Sequence, residues 1–244
     1  MSDSIIIIPS RLAAERLPNK PLILINNKSI IMHVYAKAEQ SQVGEVYVAT
    51  CDYEIAEEVE RNGGKFIMTS RKHTTGTDRI FEATQKLKLR DTDFIINVQG
   101  DEPLISPLDI KNLNKISKEN NLSISTLAYE IKNEEDYKNE NIVKVKTKDK
   151  ITDLVARKAL NFYRKIDKNN NQNIYHHFGI YSYRLNALKQ FVKLQKTKNE
   201  ITQRLEQLRV LDNNMKINVV LANHYSIGID TKKDLDECKK LLNK

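Results

Sequence analysis

The sequence lacks the features that mark secreted and membrane proteins. It has only two cysteines, Cys51 and Cys238, so no disulfide framework is expected. No apolar run approaches the roughly 18 residues that a membrane-spanning helix needs, and the first residues show no basic stretch followed by a long apolar one. We therefore predict a cytoplasmic protein without a membrane span. Its 244 residues, 40% hydrophobic and 30% charged, suit a single globular domain.

The chain is also short of acidic residues relative to basic ones, with a formal net charge of +8. Such an excess attracts polyanions, but the lysines are spread along the chain and interleaved with Asp and Glu. We therefore predict no nucleic-acid partner. A solvated lysine-rich surface explains most of the charge, and a pocket for anionic substrates accounts for a smaller share.

The first half of the sequence alternates short β-branched runs with amphipathic patterns. Runs of the kind buried on both faces predict strands at residues 5–8, 45–50, 65–68 and 93–98. Apolar residues at three- and four-residue spacing predict helices at residues 30–40, 53–62, 77–87 and 107–118. This order predicts an α/β fold with a mostly parallel sheet, helices on both faces, and ligands beyond the carboxyl ends of the strands.

The pattern changes after residue 120. Residues 122–129, 141–146 and 151–155 have strand character without intervening helices, which predicts a smaller antiparallel lobe. A further strand is expected at residues 176–183, followed by helices at residues 184–192 and 200–210. The polar tract 167–173 is expected to be a loop without a chemical role.

The loop after the first predicted strand, residues 9–22, contains no glycine. A Walker-type loop, which cradles phosphates with backbone N–H groups, is therefore excluded. Arg11, Arg16 and Lys20 instead offer side-chain cations at the ligand edge of the sheet, a pattern that suits a triphosphate. A solvated basic loop is the alternative, although the prolines stiffen the segment and favour fixed positions for these charges.

Two aspartates are candidate metal ligands. Asp101 follows the predicted strand 93–98 beside Gly100, a position that suits a hard cation. Magnesium commonly takes one or two protein carboxylates and completes its shell with water and phosphate oxygens. Asp230 is the second candidate, and the alternative is that Asp230 or Thr231 caps the helix predicted after it.

Together these segments resemble the 3-deoxy-manno-octulosonate (Kdo) cytidylyltransferases, or CMP-Kdo synthetases, over nearly the whole chain. PSRLAAERLPNKPL, MTSRKHTTGTDRIFEA and INVQGDEPLI resemble the nucleotide-side motifs of that family. The resemblance implies a Rossmann-like nucleotidyltransferase sheet, magnesium at Asp101 and Asp230, and catalytic roles for these aspartates with Arg11 and Lys20. It implies nucleotide contacts from Arg11, Arg16, Lys20, Thr75, Gly76, Thr77, Arg79 and Gln99.

Segments of the second half resemble the Kdo branch in particular, namely LVARKAL, HFGIYSYR, RLEQLRVLD and GIDTKKDL. Together with Gln99 of INVQGDEPLI, the resemblance implies sugar contacts from Arg157, Arg164, His177, Tyr181, Glu206 and Gln207. Taken alone, His177 is compatible with a core histidine and Glu206 with a helix-surface charge. The resemblance divides the domain into a nucleotide-binding part (1–120), a sugar-binding and dimerisation part (121–222) and a segment returning to the metal site (223–244).

Several residues depart from the family pattern. Ala14 replaces a serine in the first loop, and Ala156, Asn161 and Gln203 replace the usual Ser, Pro and Glu on the sugar side. If Gln203 lines the pocket, the missing carboxylate favours a sugar with a terminal hydroxyl over one with an ammonium group. Kdo is the implied acceptor, with its 8-amino analogue or a nonulosonate as alternatives and a non-catalytic nucleotide-binding paralogue as a different class.

The activity implied by the resemblance is transfer of CMP from CTP to the anomeric hydroxyl of Kdo for lipopolysaccharide biosynthesis, with release of pyrophosphate. Positioning and electrostatic stabilisation should dominate such a reaction. Members of the family are commonly dimers, so a homodimer is also expected.

Overall fold

The computed structural model describes residues 4–13, 17–91, 93–152, 155–166 and 172–242. Its strands are β1 (Ser4–Ser10), β2 (Leu24–Ile25), β3 (Lys28–Ser29), β4 (Val46–Thr50), β5 (Phe66–Met68), β6 (Phe94–Asn97), β7 (Ile124–Glu130), β8 (Lys144–Thr147), β9 (Arg157–Tyr163), β10 (Ile174–Arg184) and β11 (Asn218–Leu221). Its α-helices are α1 (Ile30–Gln40), α2 (Tyr53–Arg61), α3 (Gly76–Lys86), α4 (Pro107–Glu119), α5 (Leu185–Phe191), α6 (Lys198–Gln203), α7 (Gln207–Asp212) and α8 (Lys232–Leu242). The strands and helices predicted before residue 120 are confirmed as β1, β4, β5, β6 and α1 to α4.

Among these residues, nine strands form one sheet in the order β5-β4-β1-β6-β10-β7-β11-β9-β8. Neighbours from β5 to β6 run parallel, as expected. β10 then runs antiparallel to both β6 and β7, while β7 and β11 are parallel. The sheet is therefore mixed, and the expectation of a mostly parallel sheet is not confirmed. The reason is that β10 reverses the strand direction where the second half of the chain joins the first.

The antiparallel strands continue this sheet. β9 pairs with β11 and β8, and β8 also pairs with the start of β10. The strands β10, β7, β11, β9 and β8 therefore close on themselves. Buried side chains of these strands, including Val145, Phe162 and Val219, join a core cluster that also contains Ile5 and Ile7 of β1, so the apolar interior is continuous with that of the parallel strands.

Both faces of the central strands are buried. On β1, Ile5 and Ile7 belong to one core cluster, whereas Ile6 and Ile8 belong to another. Successive side chains of a strand point to opposite faces, so the two clusters lie on the two sides of the sheet. Helices α3, α5 and α7 contribute to the first cluster and α1, α2 and α4 to the second. The prediction of helices on both faces is confirmed, and the buried apolar surface stabilises the fold.

Elements of the second half differ from the prediction. In the described part of residues 151–155 there is only an isolated bridge between Thr152 and Val155, whereas β9 and β11 have no counterpart among the predicted elements. The helix predicted at residues 200–210 is divided into α6 and α7, because Arg204 ends α6 in a left-handed conformation with φ 52°. Of the predicted polar loop, residues 167–171 lie outside the described residues.

No helix within the described ranges combines the length and the apolar character that crossing a bilayer requires.

Candidate active site

The carboxyl ends of β1 and β6 open onto a cavity of about 840 Å³. Because these strands are adjacent and parallel, the loops that follow them meet at this edge of the sheet. Gly100 permits the close approach, since a Cβ there would lie 3.0 Å from the backbone oxygen of Pro9. The cavity collects the predicted residues Arg11, Lys20, Thr75, Gly76, Arg79, Gln99, Asp101 and Asp230.

Lys20 joins the two candidate metal ligands. Its Nζ lies 2.7 Å from Asp101 Oδ2 and 3.1 Å from Asp230 Oδ1. Burial alone would lower the pKa of Lys20, but the charges of Asp101 and Asp230 outweigh it and raise that pKa above its ordinary value. The side chain of Lys20 is only 13% exposed. It is therefore a charged, largely buried cation held between two carboxylates.

Backbone contacts bring these three residues together. Ile229 N donates to Asp101 O at 2.9 Å, which fixes the segment before α8 against the loop after β6. Thr231 Oγ1 accepts from Asp234 N at 3.3 Å and so caps α8. The helix-cap role considered for Asp230 or Thr231 therefore belongs to Thr231, whereas Asp230 Oδ1 accepts from Lys20.

The two carboxylates suit a hard divalent cation. Asp101 and Asp230 converge on one cation, the ammonium of Lys20, so their oxygens are already placed around a single positive centre. Within the described ranges, no group of three His, Cys, Asp or Glu side chains could hold a metal. Two carboxylates nevertheless fit magnesium, which completes its octahedral shell with water and phosphate oxygens.

The start of α3 borders the same cavity. Thr75 Oγ1 accepts from Asp78 N at 3.1 Å and so caps the helix. The N-terminal end of a helix carries unsatisfied N–H groups and a positive partial charge, both of which favour an anion. Arg79, one turn later, is buried, and its Nη1 donates to Thr69 Oγ1. This edge of the cavity thus suits the phosphates that the resemblance implies.

Arg11 reaches the cavity from the loop after β1. The loop is anchored where Leu12 N donates to Asp52 Oδ2 at 2.8 Å. The Arg11 side chain is exposed, so its charge can meet a ligand in the cavity. Arg16 and Ala14 lie outside the described residues, and what the sequence predicts for them stays a prediction.

A second cavity, of about 280 Å³, adjoins the first, and Gly76 and Gln99 line both. Gln99 Nε2 donates to Gly179 O at 3.0 Å. A β-bulge between Phe178 and Tyr181 places Gly179 there, and a Cβ on Gly179 would lie 3.3 Å from Gln99 Cγ. The second cavity collects the predicted sugar contacts Gln99, His177, Tyr181, Glu206 and Gln207, and also Thr77.

His177 lies on β10 and is buried in the wall of this second cavity. Its Nε2 lies 3.0 Å from Thr126 Oγ1. Burial, with a smaller effect from His176, lowers the pKa of His177 to about 3, so the ring is neutral at physiological pH. The residue is hydrogen-bonded as a core histidine would be, and it also faces the cavity. The two interpretations of His177 are therefore compatible.

Tyr181 supplies an unused hydrogen-bonding group. Its ring stacks on Tyr183 with 5.4 Å between the centroids, and burial raises the pKa of its hydroxyl. Thr126 lies close enough to influence that hydroxyl, but the contact does not have hydrogen-bond geometry. Among the described residues the Tyr181 hydroxyl is therefore buried without a partner, on the wall of the second cavity.

Glu206 lines the second cavity and is hydrogen-bonded to α3. Its Oε2 accepts a hydrogen bond from Thr77 Oγ1, in the first turn of α3, at 2.7 Å. Burial raises the pKa of Glu206, although Thr77 and Arg209 oppose this effect. The side chain is 28% exposed and lines the second cavity, so the interpretation as a helix-surface charge does not fit the structure.

Arg209 supports Glu206 from the core. Its Nε lies 2.7 Å from Glu200 Oε2 in a buried ion pair, and its Nη2 lies 3.4 Å from Glu206 Oε1. Glu200 is itself held at N3 of α6 by a capping box with Thr197. The short helices after residue 197 therefore fix the position of the Glu206 carboxylate.

Two predicted sugar contacts are not brought to either cavity. Arg157 Nε donates to Lys150 O at 3.1 Å. Arg164 Nε donates to Gln203 O at 3.2 Å, and its Nη2 donates to Arg204 O at 3.1 Å. Both arginines tie neighbouring backbone segments together and are absent from the described linings. Their sugar-binding role stays a prediction.

The sugar-side departures also lie away from the described cavity linings. Ala156 packs against a core cluster, and Asn161 Oδ1 accepts from Phe162 N at 2.8 Å on β9. Gln203 is exposed at the end of α6. Gln203 therefore gives no reason to prefer an acceptor with a hydroxyl over one with an ammonium group.

Glu102 and Ser10 adjoin the predicted site residues Asp101 and Arg11, but the sequence predicted no role for them. Ser226 Oγ donates to Glu102 Oε2 at 3.3 Å. Burial, followed by the charge of Asp101, raises the pKa of Glu102 to about 8. Ser10 lines the first cavity, and its hydroxyl is buried without a partner in the described part of the chain. In the sequence, only their positions next to Asp101 and Arg11 pointed to these two residues. Their burial could not be predicted from the residue types.

A mixed α/β sheet whose parallel edge carries a large cavity with cations, paired carboxylates and a helix N-terminus is an arrangement suited to nucleotidyl transfer. The profile of the cytidylyltransferase family matches residues 5–217. The chain belongs to this family.

Individual relatives agree with the assignment. The chain is 45% identical over 252 residues to the 3-deoxy-manno-octulosonate cytidylyltransferase of Thermodesulfovibrio yellowstonii, with 98% of each chain covered. It is 40% identical over 243 residues to the enzyme of the same name from Afipia carboxidovorans, covering 99% of this chain and 98% of that protein. Its structure is similar to CMP:2-keto-3-deoxy-manno-octonic acid synthetase complexed with CTP, with a TM-score of 0.89, 33% identity and 99% of each chain covered.

Proposed function

We propose that this protein transfers CMP from CTP to the anomeric hydroxyl of Kdo, with release of pyrophosphate, in lipopolysaccharide biosynthesis. The observation that carries the proposal is the pair of adjoining cavities that share Gly76 and Gln99. The first offers cations and carboxylates for a triphosphate and its metal, and the second offers buried hydrogen-bonding groups for a polyhydroxylated acid. The relatives named as Kdo cytidylyltransferases support the same acceptor.

In this reaction the hydroxyl oxygen forms a bond to the α-phosphorus of CTP. The bond between the α- and β-phosphates breaks, pyrophosphate leaves in line, and the hydroxyl proton passes to solvent. The protein acts mainly by positioning the two substrates and stabilising charge. Gly76 and Gln99 lie where the two cavities meet, which is where the reacting atoms belong in this proposal.

The cations of the first loop belong to the triphosphate in this proposal. Arg11, Arg16 and Lys20 neutralise the β- and γ-phosphates and so stabilise the departing pyrophosphate. The N-terminus of α3, capped by Thr75, adds a positive partial charge at the same edge.

Asp101 and Asp230 are the proposed magnesium ligands. When bound there, the ion lowers the pKa of the sugar hydroxyl and polarises the α-phosphate. The backbone hydrogen bond from Ile229 N to Asp101 O brings the two residues together, which supports this assignment.

The acceptor belongs to the second cavity. His177, Tyr181 and Gln207 line this cavity, and in this proposal they hydrogen-bond the sugar hydroxyls. Glu206, which also lines it, accepts from a hydroxyl on the side nearest the nucleotide. Arg157 and Arg164 belong to the proposal through the resemblance alone, as partners of the acceptor carboxylate. The proposal also includes a homodimer in the cytoplasm, as the resemblance implies.

The test is a panel of CTP, UTP, ATP and GTP, each with Kdo, 8-amino-Kdo and a nine-carbon acidic sugar, with pyrophosphate release as the readout. We expect CTP with Kdo and magnesium to give the highest kcat/KM, and chelation of the metal to abolish release. A site built for particular hydroxyls rejects analogues that leave its polar groups unpaired. Absence of release with CTP and Kdo, or a preference for the nine-carbon acid, would overturn the proposal.

A further inference from the structure

The ammonium of Lys20 occupies the position between the carboxylates of Asp101 and Asp230. The distances of 2.7 and 3.1 Å mean that both carboxylates direct an oxygen at the same nitrogen. Lys20 begins a short 3-10 turn, Lys20–Leu22, with Pro21 next in the chain and Asn19 before it in a left-handed conformation (φ 54°). The backbone of Lys20 is thus constrained, so the ammonium can move only by rotation about the bonds of the flexible side chain.

A divalent cation and this ammonium compete for the same oxygens. Like charges repel strongly at contact distance in a partly buried site, and magnesium requires short contacts to its carboxylate oxygens. Lys20 must therefore withdraw before both aspartates can bind a metal. Lys20 lines the same cavity as Arg11 and the start of α3, where a triphosphate is expected to bind. The ammonium of Lys20 can therefore leave the aspartates and pair with that triphosphate.

We propose that Lys20 is an internal counter-cation that keeps divalent metal out of the Asp101–Asp230 pair until a triphosphate draws the lysine away. Metal and nucleotide then enter together, and metal alone binds weakly. At the two carboxylates, a metal ion with two positive charges replaces the single positive charge of Lys20. The displaced lysine then pairs with the triphosphate. The inference rests on the proposed function for the assignment of the two aspartates to a metal and of the cavity to a triphosphate.

The experiment measures Mn²⁺ binding to the full chain without nucleotide or sugar, by the electron paramagnetic resonance signal of free Mn²⁺. Lys20→Met is expected to bind Mn²⁺ at least about fivefold more tightly than wild type, the lower end of usual coupling between two sites. Lys20→Arg, which keeps the charge, is expected to bind as weakly as wild type. Lys65→Met is the matched control, because Lys65 pairs with Glu45 on the surface and its loss removes one charge elsewhere.

A second variant pair locates the effect. Asp101→Asn in the Lys20→Met background is expected to abolish the gain in Mn²⁺ affinity. Lys20→Gln, uncharged but still hydrogen-bonding, replaces Lys20→Met if that variant does not fold, as judged by circular dichroism. CTP binding, measured separately, is expected to weaken in Lys20→Met although metal binding tightens. General damage to the site would instead weaken both.

Equal or weaker Mn²⁺ binding by folded Lys20→Met or Lys20→Gln would overturn the inference, as would a gain that survives Asp101→Asn. None of these binding measurements contains an acceptor or requires turnover. A failure of the proposed sugar specificity would therefore appear in the pyrophosphate panel and leave the Mn²⁺ result unchanged.

Discussion

The two adjoining cavities differ in the charge of the side chains that line them. In the first, Lys20 stays ionised because Asp101 and Asp230 outweigh its burial, and Arg11 is exposed. In the second, burial lowers the pKa of His177 to about 3 and raises that of Tyr181, so both side chains are neutral. Side chains that keep their charges suit a polyanion, and the neutral donors and acceptors that line the second cavity with Glu206 suit sugar hydroxyls.

The difference follows from where each set of side chains originates. In the first cavity, Arg11, Lys20 and Asp101 stand on loops beyond the carboxyl ends of β1 and β6, and Asp230 stands just before α8. His177 and Tyr181 instead stand on β10 in the core. Loop residues usually contribute little to packing, and buried strand residues contribute much. Substitutions of the exposed first-cavity residues, such as Arg11 and Asp230, should therefore change chemistry more than stability, and substitutions in the second cavity should change chemistry and stability together.

The largest effect is expected from Asp101→Asn and Asp230→Asn. Each change removes one proposed metal ligand, and we expect kcat to fall at least about a hundredfold, on the scale of metal catalysis. The free energy of unfolding in urea should change by less than about 1 kcal/mol in Asp230→Asn, because Asp230 is exposed. Asp236→Asn, at an exposed position of α8, is the matched control. Near-normal kcat in Asp230→Asn would contradict the metal assignment.

A smaller effect is expected at the junction of the cavities, from Thr77→Val. The change removes the donor that lies 2.7 Å from Glu206 Oε2 and leaves a half-buried carboxylate without that hydrogen bond. A hydrogen bond to a charged group is worth about 1.5–3 kcal/mol, so we expect kcat/KM for the acceptor to fall at least about tenfold. Thr77→Ser keeps the hydroxyl and should retain most activity. Normal kcat/KM in Thr77→Val, or a loss confined to Thr77→Ser, would show that the methyl group, and not the hydrogen bond, matters.

The sequence predicted the parallel half of the fold because its strands carry unbroken apolar runs. β1, for example, contains Ile5 to Ile8, buried on both faces. It did not predict β9, in which only Ala159 and Phe162 are buried. The polar residues Arg157, Lys158 and Asn161 interrupt the strand, so its sequence has no regular apolar alternation. The break at Arg204 was also unpredictable, because arginine does not ordinarily favour a left-handed conformation.

For the site, the sequence identified individual residues better than their contacts. Lys20 and Asp101 were expected to act on phosphate and metal, but their ion pair joins positions 81 residues apart and depends on the tertiary fold. The hydrogen bond from Thr77 to Glu206 spans 129 residues. Motifs give the residue types that a reaction needs, whereas burial and long-range pairing decide which of them meet.

The second cavity should also give the protein a pH-dependent stability through His177. Its folded pKa of about 3 is below the value of about 6.5 for an exposed histidine, so the unfolded chain binds more protons between these values. This stabilisation is complete above pH 6.5 and is lost as the pH falls toward 3. Lowering the pH from 7.5 to 5.5 should reduce the free energy of unfolding of the wild type by about 1 kcal/mol through His177. We expect the free energy of unfolding of His177→Asn, measured in urea, to fall by about 1 kcal/mol less than that of the wild type over this pH range. Identical pH dependence in the two proteins would contradict the assignment.

The smallest effect is expected from Gln203→Glu, which tests where the second cavity ends. Gln203 is exposed on α6, outside the described lining, whereas Gln207 is buried on α7 within it. A new carboxylate at residue 203 should therefore leave the ratio of kcat/KM for 8-amino-Kdo and Kdo unchanged within about twofold, as surface substitutions usually do. Gln207→Glu, the matched comparison, should shift that ratio toward the ammonium at least about tenfold, because a charge-assisted hydrogen bond in the cavity is worth about 1.5–3 kcal/mol. An equal shift in both variants would mean that the acceptor reaches α6, and the boundary drawn between the lining and the surface would have to move.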